Sequence, residues 1–318
     1  MLPSLGITSD LFTVFTGRRV FGYKSMVYAM AFISGMSFLV WGHHMFVAGQ
    51  SIYASMIFSL LSYLVAIPSA IKVFNWTTTL HKGSIALQTP MLYALGFIGL
   101  FTIGGLTGLF LAALPIDVHV TDTYFVVAHF HYVLFGTVVF ATFGGFYFWW
   151  PKWTGRFLDE KLGTWHFWTT FIGFQITFLI QHWLGAAGMP RRVADYLPED
   201  GYTLANRVST AGAFLLAISM AIFLVNLGRT MRRPRAALAA DPWGHGRSLE
   251  WATASPVPRH NFLALPRIRS ESPAFDLHHP EAALAEVVPP RRTGQEPATG
   301  DPTILTDLLG DAERTDDR

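Results

Sequence analysis

Long apolar runs constrain this chain more than any other feature of its sequence. A helix that crosses the hydrocarbon core of a bilayer, about 30 Å thick, needs roughly 20 apolar residues. Runs of that kind recur along the 318 residues, separated by short segments such as "LPID" and "WPKWTG". The predicted spans are residues 25–48, 52–80, 91–113, 123–150, 165–185 and 207–228. We therefore predict an all-α, polytopic bundle of six transmembrane helices, with Pro68 kinking the second.

Composition separates this bundle from its flanks. Residues 1–24 are predicted to be a cytoplasmic loop, 25–228 the bundle, and 229–318 a cytoplasmic tail that is extended, largely irregular and partly disordered. Only 14% of the residues are charged, and the net charge of +2 is too small to favour a nucleic-acid partner. Because the chain has no cysteine, a bound metal would need His, Met, Asp or Glu ligands.

Lysine and arginine give the predicted orientation. They concentrate in residues 1–24, 81–90 and 151–164 and at the start of the tail, a bias that marks the cytoplasmic side. Both termini are then expected to be cytoplasmic. Arg191 and Arg192 lie on the opposite side and need another explanation.

Two pairs of histidines stand out inside the predicted spans. They are His43 with His44, and His129 with His131. Counted from the outer ends of their spans, both pairs lie about 8–9 Å deep. Adjacent helical residues differ by about 100°, so His43 and His44 can share one ligand, whereas a spacing of two gives about 200° and opposite faces. Since neutral imidazole binds copper, iron and zinc, we predict metal sites; packed, hydrogen-bonded histidines are the alternative.

Lys72 is a second ionisable residue within a predicted span. It lies about 12 Å from the cytoplasmic end of that span. Ser69 is one turn away, and Thr77, Thr78 and Thr79 follow toward the cytoplasm, so that hydroxyls could hold a chain of water. The residue therefore either conducts protons or extends its amine to the membrane interface.

The stretch "GMPRRVADY" places Arg191 and Arg192 at the predicted outer surface, with Asp117 and Asp122 nearby. Arginine binds carboxylates in an oriented, bidentate way. Binding of haem propionates would explain arginines on this side, and solvated loop charges are the alternative.

These stretches together resemble subunit I of the haem–copper oxidases, of the cytochrome c oxidase type. The matching segments are "VWGHHMF", "AIPSAIKVFNWTTTLH", "GGLTG", "DTYFVVAHFHYVL", "QHWLGAAGMPRRVADY" and "DPWGHGRSLEWATASPVPRHNF", within about residues 2–265. The resemblance covers the last six of the family's twelve spans. It implies that an N-terminal half supplies a third copper histidine and the low-spin haem's second histidine. On that expectation the chain is a truncated fragment or half of a split subunit, and is inactive alone.

The resemblance also implies a role for each candidate residue. His43 and His44 would bind copper, His129 the iron of a high-spin haem, and His131 that of a low-spin haem, with haem a the expected type. Lys72 and Ser69 would belong to a proton pathway. Arg191 and Arg192 would bind haem propionates, with Asp117 close by. Asp122 would lie near a magnesium site, but Thr121 stands where the family usually has histidine, so magnesium stays open.

The implied activity is respiratory. Electrons from cytochrome c would reduce O2 to water, coupled to proton pumping across a bacterial plasma membrane, with subunits II and III as partners. Quinol oxidase and nitric oxide reductase, from the same superfamily, are alternatives. A metal-free membrane transporter that relays protons through its histidines is the alternative from another functional class.

Overall fold

The fold is built almost entirely from helices, as predicted. The computed structural model describes residues 1–235, 238–262, 264, 266 and 268–280. Within these ranges, β structure is limited to two isolated bridges. The helices are α1 (Leu2–Thr16), α2 (Tyr23–Leu39), α3 (Ile52–Leu64), α4 (Ala66–Leu80), α5 (Thr89–Ala112), α6 (Leu114–Val120), α7 (Tyr124–Leu134), α8 (Phe140–Thr154), α9 (Glu160–Ala186), α10 (Thr203–Arg232) and α11 (Pro273–His278).

The chain divides into two compact units, residues 1–274 and 275–318. Only residues 275–280 of the second unit are described, so the predicted disorder of the last residues falls outside the described part. The first unit contains every candidate site residue.

Four segments are long and apolar enough to cross a membrane within the described residues. They are Ile52–Leu80, Thr89–Ala112, Tyr124–Thr154 and Thr203–Arg232. This confirms a multi-pass membrane bundle. The other two predicted spans correspond to α2, with 17 residues, and to α9, with 27 residues that include several polar side chains. For these two helices, crossing of the membrane stays a prediction.

Two predicted boundaries are wrong. Residues 2–16 are not a loop: they form α1, which buries Leu11, Phe12 and Phe15 and ends at Gly17 in the left-handed conformation. The first span was expected to run to residue 48, but α2 ends at Leu39. Short apolar helices of this kind are stabilised by packing against neighbouring helices, which a length criterion does not register.

Proline and packing shape the second predicted span. The helix breaks at Val65, between α3 and α4. Pro68 follows three residues later and has no N–H to bond the carbonyl of Leu64, so a regular helix cannot continue through this point. The expected kink is therefore present as a break.

The first part of the tail packs on the chain's own helices. Trp251 is fully buried, and the indole N–H of Trp243 donates to the carbonyl of Phe148 at 2.8 Å. The Lys152 ammonium donates to the carbonyls of Ala240 at 2.9 Å and Thr253 at 2.7 Å. This segment thereby covers the end of α8, and α10 extends to Arg232, past the predicted tail boundary at 229.

Helix α7 lies between α5 and α9, and continues through a π-helical segment, Phe135–Val139, into α8. Glycines in α5 and α9 allow both helices to approach α7 closely. A Cβ at Gly108 of α5 would lie 3.0 Å from Cε1 of His129, and a Cβ at Gly185 of α9 would overlap the backbone N of Phe125. Small residues let membrane helices pack closely in this way. The position of α7 is therefore fixed from two sides.

We predict that Gly185→Ala destabilises the bundle, because the added methyl group overlaps the backbone of α7 rather than a flexible side chain. Overpacking of this kind costs about 1–3 kcal/mol. Thermal unfolding of the detergent-solubilised protein measures the loss. Gly99→Ala is the matched control, since nothing lies within 4 Å of a Cβ at Gly99. Equal melting temperatures for the two variants would contradict the close packing.

Candidate metal centre

His43 and His44 converge on one point. They lie in a short 3₁₀ turn, Trp41–His44, that follows α2 instead of continuing it. Their Nε2 atoms are 2.9 Å apart. Two nitrogens bound to one ion at about 2.0 Å, at roughly a right angle, would be separated by about 2.8 Å. The prediction of an α-helix here is wrong, but the two rings do meet, because a tighter turn also keeps neighbouring side chains on one side.

Hydrogen bonds fix the tautomer of His43. Its Nδ1 lies 2.9 Å from Oγ of Ser62, and that hydroxyl donates its own proton to the carbonyl of Phe58 at 2.7 Å. The Ser62 oxygen must then accept, so Nδ1 of His43 carries the proton. Nε2 is left with a free lone pair directed at His44.

His129 is held in the same way from α5. Its Nδ1 is 3.1 Å from Oγ1 of Thr107, which donates its proton to the carbonyl of Gly104 at 3.0 Å. The Nδ1–H therefore donates and Nε2 stays free. His129 also lies within electrostatic range of His43 and His44, so one member of the second pair is near the first pair.

His131 faces a different neighbour. Its ring stacks on Phe178 of α9, with ring centroids 4.0 Å apart, and its Nδ1 donates to the carbonyl of Val127 at 2.7 Å. His129 is thus directed toward α5 and His131 toward α9, in agreement with the opposite faces predicted from the 200° spacing. A backbone carbonyl that fixes Nδ1–H is a common support for a histidine that binds metal through Nε2.

Lys72 is enclosed by the bundle. Only 1% of its surface is exposed, and its Nζ lies 5.5 Å from the centroid of Phe101. Its ammonium group therefore does not extend to the membrane interface. Ser69 donates its hydroxyl to the carbonyl of Val65 at 2.9 Å, and no hydrogen bond joins it to Lys72 in the described structure.

The loop after α9 is tied to the segment before α7. The Arg191 guanidinium contacts Oδ1 of Asp122 through Nε at 2.9 Å and Nη2 at 2.5 Å. The backbone of the same two residues is joined by a 2.8 Å hydrogen bond. Arg192 is exposed and has a positive φ of 65°. Arg191 also lies within electrostatic range of His44, so this loop borders the histidine pair.

Asp117, in the first turn of α6, is the buried carboxyl of this region. Burial raises the pKa of Asp117 to about 6, with a smaller contribution from the negative charge of Asp122. The carboxyl therefore takes up a proton at a pH well above that of an ordinary aspartate.

Two further histidines, His166 and His182, lie in the predicted span 165–185 and are not among the predicted site residues. His166 is fully buried, with Nδ1 2.9 Å from the hydroxyl of Tyr93 and 3.2 Å from that of Tyr147. Both ring nitrogens of His182 are buried, close to the backbone of Phe178 and Leu179, and the residue lies within electrostatic range of His129. The sequence signal for both is the same as for the other four histidines: an ionisable residue inside an apolar run.

The donor set of this chain is small. Among the described residues, no group of three or more His, Asp or Glu side chains is arranged to hold a metal ion. His43 and His44 thus supply two convergent nitrogens, while His129 and His131 each supply one.

Comparisons with known proteins identify the family of the chain. The family described as "Cytochrome C and Quinol oxidase polypeptide I" matches residues 1–237. A Streptomyces avermitilis protein assigned as cytochrome c oxidase subunit 1-beta is 60% identical over 282 residues, which are 89% of this chain and 50% of that protein. Cytochrome c oxidase subunit 1 of Corynebacterium diphtheriae is 53% identical over 279 residues, covering 88% and 49% of the two chains. The chain spans about half the length of these curated relatives.

A solved structure shows the same fold. A heme-copper terminal oxidase dimer studied by cryo-EM aligns with 98% of this chain and 60% of its own, with a TM-score of 0.63 and 19% sequence identity. The helical arrangement is therefore one that such proteins adopt.

We predict that Ser62→Ala weakens metal binding by the histidine pair, because it removes the oxygen that holds Nδ1–H of His43 and so orients Nε2. Loss of such a supporting hydrogen bond lowers metal affinity about 10–100-fold. Elemental analysis of the assembled protein after dialysis against graded chelator measures the effect.

Ser37→Ala is the matched control, since the Ser37 hydroxyl donates only to the carbonyl of Ile33 within its own helix. A Ser62→Ala variant that retains metal as well as Ser37→Ala would contradict the supporting role of Ser62.

Proposed function

Because the chain belongs to the cytochrome c and quinol oxidase polypeptide I family, we propose that it forms the C-terminal part of subunit I of a respiratory oxidase. The observation that carries the proposal is the convergence of the Nε2 atoms of His43 and His44 at 2.9 Å, within electrostatic range of His129. Family membership favours this function over a metal-free proton transporter.

The residues present fit a copper ion shared by His43 and His44. Neutral imidazole nitrogens suit copper, and the tautomer of His43 leaves its Nε2 available. The 2.9 Å between the two Nε2 atoms is close to the separation of two nitrogens bound to one ion, so the turn already holds both rings at the spacing that a shared ion needs. The remaining copper ligands would come from residues outside this chain, in keeping with relatives about twice its length.

The residues of α7 fit two haems. His129, whose Nε2 is left free by the hydrogen bond at Nδ1, would hold a high-spin haem. His131, whose Nδ1–H is held by the carbonyl of Val127, would hold a low-spin haem of haem a type. When bound, these groups and copper supply the redox chemistry that reduces O2 to water.

The charged residues around the centre have supporting roles in this proposal. Arg192, which is exposed and makes no ion pair in the described structure, would bind a haem propionate together with Arg191. Asp117, whose raised pKa lets it hold a proton, would lie beside those carboxylates. Magnesium does not fit: the Asp122 carboxylate is paired with Arg191, and no cluster of acidic or histidine ligands surrounds it.

Lys72 would carry protons toward the centre from the cytoplasmic side. An enclosed lysine without an ion pair is costly to keep charged, so it readily accepts and releases a proton. Ser69 can still accept a hydrogen bond, because its own proton is donated to Val65. Hydroxyls on this face would position the water through which protons move.

The wider setting follows from the same proposal. The chain would assemble with its N-terminal counterpart and with subunits II and III in a bacterial plasma membrane, with both termini cytoplasmic. Electrons would come from cytochrome c, as the names of the relatives suggest, and proton pumping would accompany the reduction of O2.

Loss of a single histidine of α7 tests the two haem sites. In the assembled oxidase, we predict that His131→Ala abolishes only the low-spin haem signal and His129→Ala only the high-spin signal, because the rings face different helices. Reduced-minus-oxidised absorption spectra separate the two signals. Equal loss of both haems in either variant would contradict separate sites, and absence of haem bands from the parent oxidase would reject the function.

Replacement of Lys72 tests the proton pathway. We predict that Lys72→Met lowers oxygen consumption at least about tenfold, since proton transfer by positioned groups typically contributes 10²–10⁴-fold. Haem and copper contents should stay unchanged, because removal of an enclosed charge does not disturb packing as a cavity would. Lys24→Met, at an exposed position, is the control. Full turnover in Lys72→Met would assign Lys72 a structural role instead.

A further inference from the structure

An open pocket of about 310 Å³ lies beside the first turns of α10. None of the residues that line it is a proposed ligand of copper or haem. The lining residues are Tyr196, Asn206, Arg207, Thr210, Ala211 and Phe214.

Polar and apolar groups follow one another along this pocket. Arg207 is the fifth residue of α10, about 6 Å from the start of the helix. Phe214 lies two turns further, about 10 Å deeper along a helix apolar enough to cross the membrane, and 69% of its surface is exposed. The lining of the pocket is therefore cationic at the membrane surface and apolar deeper in the membrane.

Arg207 has no partner within the described structure. Its guanidinium makes no ion pair and no hydrogen bond, although acidic residues are close in sequence. Asp195 accepts instead from the backbone N–H of Tyr196 at 2.8 Å, and Asp200 from that of Leu197 at 3.0 Å. Five N–H donors of Arg207 thus remain for an external anion.

Because the neighbouring polar side chains donate to backbone carbonyls, Arg207 is the principal contact available to an anion. The Thr210 hydroxyl donates to the carbonyl of Asn206 at 2.9 Å, and the Asn206 amide donates to that of Tyr202 at 3.1 Å. Guanidinium recognises phosphate in an oriented, bidentate way, and an arginine at the membrane surface attracts anionic lipid.

We propose that this pocket binds an anionic phospholipid. The phosphate of the lipid pairs with Arg207 at the membrane surface, and one acyl chain runs along Ala211 and Phe214. A zwitterionic lipid of the same chain length offers the same apolar contact without net negative charge, so Arg207 makes the site selective for headgroup charge.

Native mass spectrometry of the delipidated, assembled oxidase tests the site after addition of phosphatidylglycerol or phosphatidylcholine with identical chains. We expect Arg207→Gln to lower retention of phosphatidylglycerol about fivefold, the effect of one basic residue near an anionic surface, and to leave phosphatidylcholine unchanged. Arg229→Gln is the control, an exposed arginine near the other end of α10.

Three results would overturn the proposal. Unchanged retention of phosphatidylglycerol in Arg207→Gln would show that the residue does not bind lipid, for example because another subunit covers it. An equal loss in Arg229→Gln would show a general effect of charge. Displacement of phosphatidylglycerol from the parent protein by excess inorganic phosphate would identify a simple anion site without lipid selectivity.

Discussion

The structure depends on how an apolar bundle holds three of its imidazole groups by hydrogen bonds. For His43, His129 and His131, a protein oxygen accepts the Nδ1–H at 2.7–3.1 Å, and Nε2 is left free. An unsatisfied polar group in hydrocarbon costs several kcal/mol, so such hydrogen bonds decide which nitrogen faces outward. One constraint therefore explains both why the histidines are tolerated in this bundle and why they are prepared to bind metal.

Helix packing determines the surroundings of these histidine rings. Glycines on α5 and α9 bring both helices against α7, so that His129 and His131 have different surroundings. The turn that ends the first apolar segment places His43 and His44 within electrostatic range of His129. The Arg191–Asp122 pair holds the adjoining loop in place. The proposed function thus has a physical basis in contacts among residues of this chain.

Periodicity predicted some of this arrangement and missed the rest for identifiable reasons. The opposite faces of His129 and His131 follow from helical angle alone, since α7 is regular there. The turn at Trp41–His44 and helix α1 were not predicted, because both depend on contacts with distant residues such as Phe58 and with α8. His166 and His182 also lie inside a predicted span and are candidates by the same argument. The hydrogen bonds of His166 to Tyr93 and Tyr147, however, depend on the tertiary structure.

A cryo-EM map of the assembled oxidase, at a resolution that shows side chains, tests the central claim most directly. The account predicts one density peak about 2.0 Å from the Nε2 atoms of both His43 and His44, with separate haem densities at the Nε2 atoms of His129 and His131. Imidazole rings of His43 and His44 turned away from a common peak, or both α7 histidines bound to one haem, would contradict it.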